Sequence, residues 1–491
     1  MSSHAVHALA FDFLGSKPIE LELSTSPLTS DAGLLPIRQF DERIRLTEQF
    51  ADALDDPRLA RSTVQSRLVM ARQRIFGIIA DYEDQNDHDT LRTDPVFKLL
   101  AGREPNGTDL ASQPTLSRFE NSISIEDLWR LRDYLIDTFI QSFSEPPTHL
   151  TIDMDAFDDP PHGRQQLTMF HGDCEQHQYL PIVMTCAEND AVMLVGLRHG
   201  TCHASLGADD DLRFIVMRLR AIWPDVQITV RGDSGFGVPM MYEVCRELNL
   251  WFTFGIGMNP RLKARSDELL AKVQKQFEET GAPQREFVAA EYQAESWPES
   301  QRIVIKVEYN EQGSNRRAVV TKRDGWKVLP GAIYDDYALR GESENRNREL
   351  KCELKADRLS DHRCMANFFR LDLHVTALNL MVRLRRATAS PEPAPSELGV
   401  HTSQELASES LDEPQRKTFF NRRRERDAMA EGFACTWRTR LIKVAAEIVV
   451  RARRVIVRVS SSWPHLGELK RITEIISRNP VLIPRTDSLP V

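Results

Sequence analysis

The sequence has none of the usual marks of a membrane or secreted protein. Its 491 residues contain no apolar run of about 18 residues, the length that a membrane-spanning helix requires. The N-terminus also lacks a basic segment followed by an apolar one, the pattern typical of a signal peptide. The seven cysteines are scattered and form no C-x-x-C pair, which argues against a disulfide framework and a zinc ribbon. We therefore expect a soluble cytoplasmic protein without a membrane partner.

An excess of positive charge is also missing from the chain as a whole. The formal net charge is −9, which argues against a uniformly basic coat for nucleic acid. Positive charge is instead concentrated in 416–491, which holds 17 lysines and arginines against 7 aspartates and glutamates. We predict that arginines of this region contact DNA phosphates; a solvated basic face that binds nothing is the alternative. The candidates are a cluster and two residues on one side of a predicted strand: Arg422, Arg423, Arg424, Arg454 and Arg458.

The spacing of apolar residues changes along the chain and predicts an α/β protein. Up to about residue 147, helical spacing dominates. A short predicted helix around Arg118 would be presented to a DNA groove in helix-turn-helix style, with an ordinary helical bundle as the alternative. From His149 the order is three strands, helix, strand, helix and strand, which is that of an RNase H-like fold. Alternating runs between Pro260 and Pro330 then indicate a β-rich insertion, after which helices complete the core.

These changes divide the chain into six predicted regions. A stretch rich in Pro, Ser and Glu, with few large apolar residues, predicts a flexible linker before the basic end. The regions are a mainly helical N-terminal DNA-binding region (1–147), the first part of an RNase H-like core (148–260), a β-rich insertion (261–330), the second part of the core (331–388), the linker (389–415) and a basic C-terminal region (416–491).

Three acidic residues stand where metal-dependent phosphoryl transfer would need them. Asp155 lies on the first predicted core strand, Asp233 lies in the Gly-rich turn RGDSGF after another strand, and Glu344 lies on a predicted helix. Two-metal catalysis requires carboxylates that hold two ions about 3.5–4 Å apart, and acids without His or Cys suit magnesium. Asp153 points to the same side of its strand as Asp155, so the alternation alone leaves both open.

The segment YALRGESENRNRELK carries a second pattern. On one continuous α-helix, Tyr337, Arg340, Glu344 and Lys351 would fall within about 60° of one another. That face would present an aromatic hydroxyl, two cations and a carboxylate. A solvated face with weak ion pairs is the alternative.

These residues resemble the Tyr-Arg-Glu-Lys signature of bacterial insertion-sequence transposases, in which the Glu completes an Asp-Asp-Glu metal triad. The stretch from Thr151 to Arg370 is similar to the thirteen-eighty branch of that family, which is related to the piggyBac-type transposases. The similar pieces are DMDAFDDPPHGRQQ, FHGDCEQHQYLPIV, RGDSGF, FGIGMNPRL and RGESENRNRELKCELKADR. In piggyBac-type enzymes a strand aspartate is followed eight residues later by Gly and a basic residue. Asp155 stands so to Gly163 and Arg164, and is therefore preferred over Asp153 as the first triad member.

The resemblance implies a cut-and-paste DNA transposase of the bacterial cytoplasm, associated with the nucleoid. Its cofactor would be Mg²⁺, for which Mn²⁺ would substitute, and its partners would be the terminal inverted repeats of the element and the target DNA, held by a homodimer. The resemblance assigns Asp155, Asp233 and Glu344 to catalysis and metal binding, Asp153 to metal binding as a further candidate, and Tyr337, Arg340 and Lys351 to DNA phosphates. The alternatives are a domesticated DNA-binding protein without catalysis and a structure-selective nuclease on the same fold.

Overall fold

The computed structural model describes residues 9–11, 19–21, 26–58, 63–172, 175–323, 329–389 and 432–478. Almost all of the predicted linker and the arginine cluster at 422–424 lie outside these residues. Among the described helices, none is long and apolar enough to cross a membrane.

The described strands alternate with helices over the middle of the chain. The strands are β1 (Leu9–Phe11), β2 (Ile19–Leu21), β3 (Leu28–Thr29), β4 (His149–Ala156), β5 (Met169–His171), β6 (Gln176–Gln178), β7 (Ile182–Cys186), β8 (Val192–Gly196), β9 (Gln227–Gly232), β10 (Trp251–Ile256), β11 (Gln284–Tyr292), β12 (Gln301–Asn310), β13 (Gly313–Lys322), β14 (Ala446–Arg451) and β15 (Arg454–Val459).

The described helices concentrate at the N-terminal side and around the sheet. They are α1 (Leu34–Ile44), α2 (Leu46–Asp52), α3 (Arg67–Ile79), α4 (His88–Leu91), α5 (Pro95–Leu100), α6 (Gln113–Asn121), α7 (Ile125–Ile140), α8 (Ala208–Ile222), α9 (Pro239–Glu247), α10 (Pro260–Arg265), α11 (Asp267–Thr280), α12 (Pro330–Ala338), α13 (Gly341–Arg348), α14 (Cys364–Thr388), α15 (Ala434–Trp437) and α16 (Leu466–Arg478), with π-helical turns at Glu349–Glu353 and Arg438–Ile442.

An eight-stranded mixed sheet forms the centre of this α/β protein. Its order is β11-β12-β13-β10-β9-β4-β7-β8. The strands β10, β9 and β4 are parallel to one another, whereas every other neighbouring pair is antiparallel. The three strands that the sequence predicted as an insertion therefore extend the central sheet, because β13 pairs directly with β10.

Alternation along the strands sends side chains into two different cores. On β7, for example, Ile182 and Met184 join a core with α8 and α9, whereas Val183 joins the core that contains α14. The helix α14 is buried on nearly all sides, because it lies between β8 and the N-terminal helices, among them α3 and α6. The N-terminal helices and the sheet thus share one long central helix.

The two ends of the chain meet in a second, three-stranded sheet. Its order is β15-β14-β3, so that Leu28 and Thr29 pair with residues of β14. A Cβ atom at Gly33 would lie 1.7 Å from the carbonyl oxygen of Leu441, so only glycine permits this contact.

The region around Arg454, predicted as a single strand, is a hairpin of the two strands β14 and β15, which lies against the N-terminal part.

The helix predicted over 337–351 is not continuous. The segment consists of α12, a tight turn at Leu339 and Arg340, α13 and a π-helical turn. In the tight turn the amide of Arg340 donates to the carbonyl of Tyr337, three residues back. This breaks the even 100° spacing on which the predicted common face depended.

Candidate active site

Two of the three candidate acids lie side by side at one end of the central sheet. Asp155 is the second-last residue of β4, and Asp233 directly follows the last residue of β9. The two strands are parallel neighbours whose register pairs Met154 with Gly232, so the aspartates come next on each strand. Carboxyl ends of parallel strands open on a common crevice. The fold thus brings two carboxylates to the position where a ligand site is expected.

The turn that carries Asp233 is fixed by its own backbone and by the core. The amide of Gly235 donates to Oδ1 of Asp233 at 2.9 Å. A Cβ atom at Gly232 would lie 2.9 Å from the Cβ of Phe236, and Phe236 is fully buried. The RGDSGF turn is therefore closed tightly over the end of β9, which sets the place of the Asp233 carboxylate.

Asp155 is partly buried and hydrogen-bonded from two directions. Its Oδ2 accepts a bond of 2.8 Å from the side-chain amide of Asn347 on α13, and its Oδ1 accepts one of 2.9 Å from the amide of Ala156. Burial raises the pKa of Asp155, and the nearby Asp233 adds to the rise, while Arg340 and the two hydrogen bonds oppose it. Two neighbouring carboxylates in such a place favour the arrival of a cation.

Arg340 is the cation that the structure places there. Its Nη1 lies 3.7 Å from Oδ2 of Asp155, and its Nη2 lies 2.5 Å from Oε1 of Glu344. Its Nε is buried without a hydrogen-bond partner. The Glu344 side chain, by contrast, is 55% exposed. Glu344 is therefore open to solvent on one side, and Arg340 connects it to Asp155.

Tyr337 closes the site on the side of β10. A Cβ atom at Gly255 would lie 2.7 Å from the hydroxyl of Tyr337, so the glycine makes room for the tyrosine. Burial raises the pKa of Tyr337, which keeps its hydroxyl protonated, while the charge of Arg340 opposes the rise. A cleft of about 370 Å³ is lined by Tyr337, Asp233, Arg317 and Arg340, among others.

A larger cleft continues from the acids toward the strands β11 to β13. Its volume is about 1120 Å³, and its lining includes Arg285, Lys306, Arg317, Arg340 and Glu344 together with aromatic side chains. The cleft therefore leads from the candidate acids over a surface rich in cations.

The carboxylates suit a divalent metal, although they do not yet converge on one. In the parts of the chain that the structure describes, no three His, Cys, Asp or Glu side chains are arranged to hold a metal ion. Asp155, Asp233 and Glu344 supply oxygen donors only, which is the chemistry that Mg²⁺ and Mn²⁺ prefer. The crowding of Asp155 and Asp233 would be relieved by such an ion. The residues therefore fit the predicted metal, provided that Glu344 releases Arg340.

A comparison with protein-family models identifies the family of the chain. The model described as transposase DDE domain group 1 matches residues 11–398, which is most of the chain. The chain belongs to this family. The predicted kinship with the DDE transposases is thereby confirmed, and the transposase is an enzyme that cleaves and joins DNA in transposition and recombination.

The chain was also compared with solved structures and with curated proteins. Among solved structures, a similar chain is found in the cryo-EM structure of the piggyBac transposase synaptic complex with hairpin DNA. The two chains share 13% sequence identity and a TM-score of 0.40, over 81% of the transposase and 87% of the other chain. A comparison with curated proteins found no match.

Asp153, the further candidate for the metal, forms a buried ion pair in the transposase. Its two carboxylate oxygens accept bonds of 2.6 and 2.7 Å from Nε and Nη2 of Arg231, the residue opposite on β9. Arg231 also donates to the carbonyl of Asp336 at 2.6 Å, and all three side chains are buried. Both oxygens of Asp153 are thus engaged by a buried guanidinium, which favours a structural role, and its part as a metal ligand stays a prediction.

Lys351 lies on the π-helical turn beyond α13. Its Nζ forms an ion pair of 3.2 Å with Oδ1 of Asp158. The adjacent Asp159 is buried, and neither of its carboxylate oxygens has a hydrogen-bond partner. Lys351 is therefore held by the loop that follows β4, whereas Arg340 is held by the candidate acids.

Three of the remaining arginines that were predicted to bind DNA belong to the described residues, and they lie on the surface. Arg118 is exposed on α6, where its Nη2 donates to the hydroxyl of Thr115 at 3.2 Å. Arg454 and Arg458 are exposed on β15, and Arg458 pairs with Glu447 at 3.0 Å. These positions leave the arginines accessible to DNA.

Two site residues were missed in the sequence. Arg231 carried a signal, because a charged residue within the apolar strand that precedes Asp233 requires a buried partner. Asn347 carried none, because one asparagine in a polar helix does not reveal which side faces the core.

Proposed function

We propose that this transposase moves an insertion sequence by a cut-and-paste reaction that depends on two divalent metal ions. Hydrolysis at the element ends would release 3′ hydroxyl groups, which would then attack target DNA. The observation that carries the proposal is the placement of Asp155 and Asp233 at the ends of two parallel neighbouring strands, with Glu344 linked to Asp155 through Arg340.

The strand order supports an RNase H-like core for this chemistry. The strands β4, β7 and β8 form an antiparallel meander, and β9 and β10 join it in parallel to β4. Along the chain, these strands follow one another in the succession on which the sequence-based proposal of such a core rests. We further propose that the N-terminal helices, the extension β11 to β13 and the C-terminal hairpin surround this core as DNA-handling parts.

Asp155, Asp233 and Glu344 would hold the metal, which is Mg²⁺ with Mn²⁺ as a substitute. When bound, the two ions would activate the attacking oxygen and stabilise the leaving one. The protein's own part is to fix the carboxylates. Asn347 and the amide of Ala156 orient Asp155, and the amide of Gly235 orients Asp233.

Arg340 would pass from the acids to the DNA. A guanidinium forms strong paired hydrogen bonds with a phosphate, and a backbone phosphate that enters the cleft offers such a partner. Removal of Arg340 from Glu344 would free that carboxylate for the metal. Tyr337 would donate its hydroxyl to the same strand, and Lys351 would meet DNA farther along.

Other cations would extend the DNA-binding surface, and two copies would act together. We propose Arg118, Arg454 and Arg458 as phosphate contacts, with the cluster at 422–424 adding to them. A homodimer on DNA would pair two element ends before they are joined to the target, in the bacterial cytoplasm at the nucleoid.

Cleavage of an element end tests the proposal. Inverted repeats that flank the coding region would provide a labelled duplex, to be incubated with Mg²⁺ or Mn²⁺. The wild type should cut it and, with a second duplex present, join the ends to that target. Alanine variants of Asp155, Asp233 and Glu344 should bind the duplex without cutting it.

Other outcomes would select the alternatives. A wild type that binds the ends but never cuts them with either metal would be a DNA-binding protein without catalysis. A wild type that cuts branched or hairpin DNA irrespective of the repeats, and never joins ends, would be a structure-selective nuclease.

A further inference from the structure

The helix that carries Glu344 is anchored by a buried carboxylate that no motif marks. Glu349 begins the π-helical turn after α13 and is almost fully buried. Its Oε1 accepts bonds from Nη1 of Arg385 at 2.8 Å and from the amide of Ala434 at 2.9 Å. Its Oε2 accepts bonds from Nη1 of Arg346 at 2.7 Å and from Nη2 of Arg385 at 3.0 Å. Four donors thus converge on one carboxylate.

These donors come from three parts of the chain. Arg346 belongs to α13 itself, Arg385 belongs to the central helix α14, and Ala434 belongs to the segment 432–442, which lies beyond the long stretch 390–431. Arg385 also donates to the carbonyl of Gly432 at 2.9 Å. Glu349 therefore joins the end of α13 to the core and to the C-terminal segment at one point.

The same C-terminal segment holds the other end of the π-helical turn. The amide of Cys435 donates to the Glu353 carboxylate at 2.9 Å, and Nη1 of Arg438 donates to the carbonyl of Glu353 at 2.6 Å. Arg438 also donates to the carbonyls of Ile78 and Ile79 at the end of α3. The C-terminal segment therefore forms hydrogen bonds with both the first and the last residue of the π-helical turn, Glu349 and Glu353.

Phe433 adds a contact to α13 itself. Its ring lies 4.8 Å from the guanidinium carbon of Arg346 and 6.0 Å from that of Arg348. Such contacts between a cation and an aromatic face are attractive. The segment therefore touches the body of the helix as well as the turn that ends it.

The position of α13 matters because two of its residues address the site. Glu344 faces Arg340, and Asn347 donates to Asp155. A rotation or slide of α13 would move both together. A π-helical turn shifts the register of the helix on its N-terminal side relative to the chain on its C-terminal side, and such turns are frequent at functional sites.

We infer that Glu349 is a positioning residue that, together with the segment 432–442, sets α13 so that Glu344 can reach the metal site. The inference rests on the proposed function, since it concerns the delivery of Glu344. In this arrangement the catalytic centre is completed by residues beyond the C-terminal end of the family match.

The full-length variant Glu349→Gln tests the inference, with Glu120→Gln as the matched control. Glu120 is also a buried carboxylate held by two arginines, Arg74 and Arg370, but it lies on α6. Phe433→Ala is a milder second variant, because it leaves the buried ion pairs intact. All are compared below their unfolding temperatures, with element-end DNA at saturation.

Glu349→Gln should slow single-turnover cleavage by roughly tenfold or more, because small displacements of a catalytic group have effects of this size, and should leave the Kd for DNA unchanged. It should also raise the Mg²⁺ concentration needed for half-maximal cleavage. Phe433→Ala should change the cleavage rate and the required Mg²⁺ concentration in the same directions, but by less. Glu120→Gln should cut the DNA as fast as the wild type.

Hydrogen exchange gives a readout without DNA, metal or activity. Amides of residues 341–353 should exchange faster in Glu349→Gln than in the wild type, and not in Glu120→Gln. If Glu349→Gln cuts as fast as Glu120→Gln, or if exchange over 341–353 is unchanged, the inference is wrong. If the wild type itself does not cut, the proposed function fails, whereas the exchange experiment still decides whether Glu349 fixes α13.

Discussion

Among the described residues, two of the clusters in which an arginine links two acids involve β4. The sealed triad consists of Asp153, Arg231 and Asp336, which are all buried. The open triad consists of Asp155, Arg340 and Glu344, of which Glu344 is largely exposed. Each triad places an arginine between two acids, and the aspartates of the two triads are only two residues apart on β4.

The difference lies in how completely the hydrogen-bonding groups are used. In the sealed triad, Arg231 binds Asp153 through two nitrogens and the carbonyl of Asp336 through the third. Burial alone would lower the pKa of Arg231, but Asp153 and Asp336 outweigh it and raise the pKa. A buried pair of this kind is stable only when every partner is present.

In the open triad, not all hydrogen-bonding groups of the arginine have partners. Arg340 approaches Asp155 only to 3.7 Å, and its Nε has no partner. Partners that are loosely held can be exchanged for others at small cost. The comparison teaches that the satisfied cluster maintains the fold, whereas the unsatisfied one is suited to receive metal and phosphate.

The largest effect should come from Asp155→Asn in the open triad. We expect cleavage of an element end to fall by about a thousandfold or more, since metal ligation contributes several kcal/mol to the transition state. Thermal stability should not fall, because the pKa of Asp155 is already raised by burial. Cleavage close to that of the wild type would show that the open triad is not the catalytic one.

Asp153→Asn should have the opposite profile. It leaves the buried charge of Arg231 without its main partner, and we expect the free energy of unfolding to fall by about 3–5 kcal/mol. Urea unfolding measures this, with Asp155→Asn as the control on the same strand. A variant that keeps full stability and loses only cleavage would reverse the assignment of the two aspartates.

Arg340→Ala should have a smaller effect on the reaction. Loss of a charged hydrogen bond to phosphate costs about 1.5–3 kcal/mol, which corresponds to roughly ten- to a hundredfold slower cleavage at limiting DNA. Metal binding, measured by calorimetry, should change less, because the acids remain. Arg340→Lys keeps the charge without the fork and serves as the control. Equal cleavage by Arg340→Ala and the wild type at limiting DNA would rule out the phosphate contact.

Asp159→Asn should have the smallest effect on cleavage, because Asp159 belongs to neither triad. Burial raises the pKa of Asp159 to about 8, and Asp357 adds to the rise. Because the folded pKa lies above that of the unfolded chain, the contribution of Asp159 to stability is complete below about pH 4 and is lost as the pH rises from there through 8.

The asparagine variant should lack this dependence of stability on pH. At pH 8 it should be more stable than the wild type, and the difference should vanish near pH 4. Urea unfolding across this range measures it. A parallel pH dependence in the two proteins would mean that Asp159 is ionised in the folded state.

Much of the sheet was predictable because a strand shows its pattern locally. The alternation around Asp155 and the apolar run before Asp233 located β4 and β9 within a residue or two. The choice between Asp153 and Asp155 was not predictable from alternation, because both point to the same side. The resemblance favoured Asp155, and the register, which sets Arg231 opposite Asp153, shows how the surroundings of the two aspartates differ.

The sequence predicted that Glu344 lies on a helix, but it did not predict where that helix is interrupted. No proline or glycine marks the π-helical turn after Arg348, and its cause lies far away in the chain, where Arg385 and Ala434 hold Glu349. A break that is stabilised by tertiary contacts leaves no trace in local spacing. For the same reason Lys351 meets Asp158, outside the predicted common face.

The pairing of β3 with β14 has a consequence for how the protein is made. Leu28 leaves the ribosome early, but its partner strand emerges more than four hundred residues later. At about 5–20 residues per second, the N-terminal helices wait roughly twenty seconds to over a minute for the strand that covers them. A nascent chain therefore cannot complete the three-stranded sheet until its C-terminal part has been made.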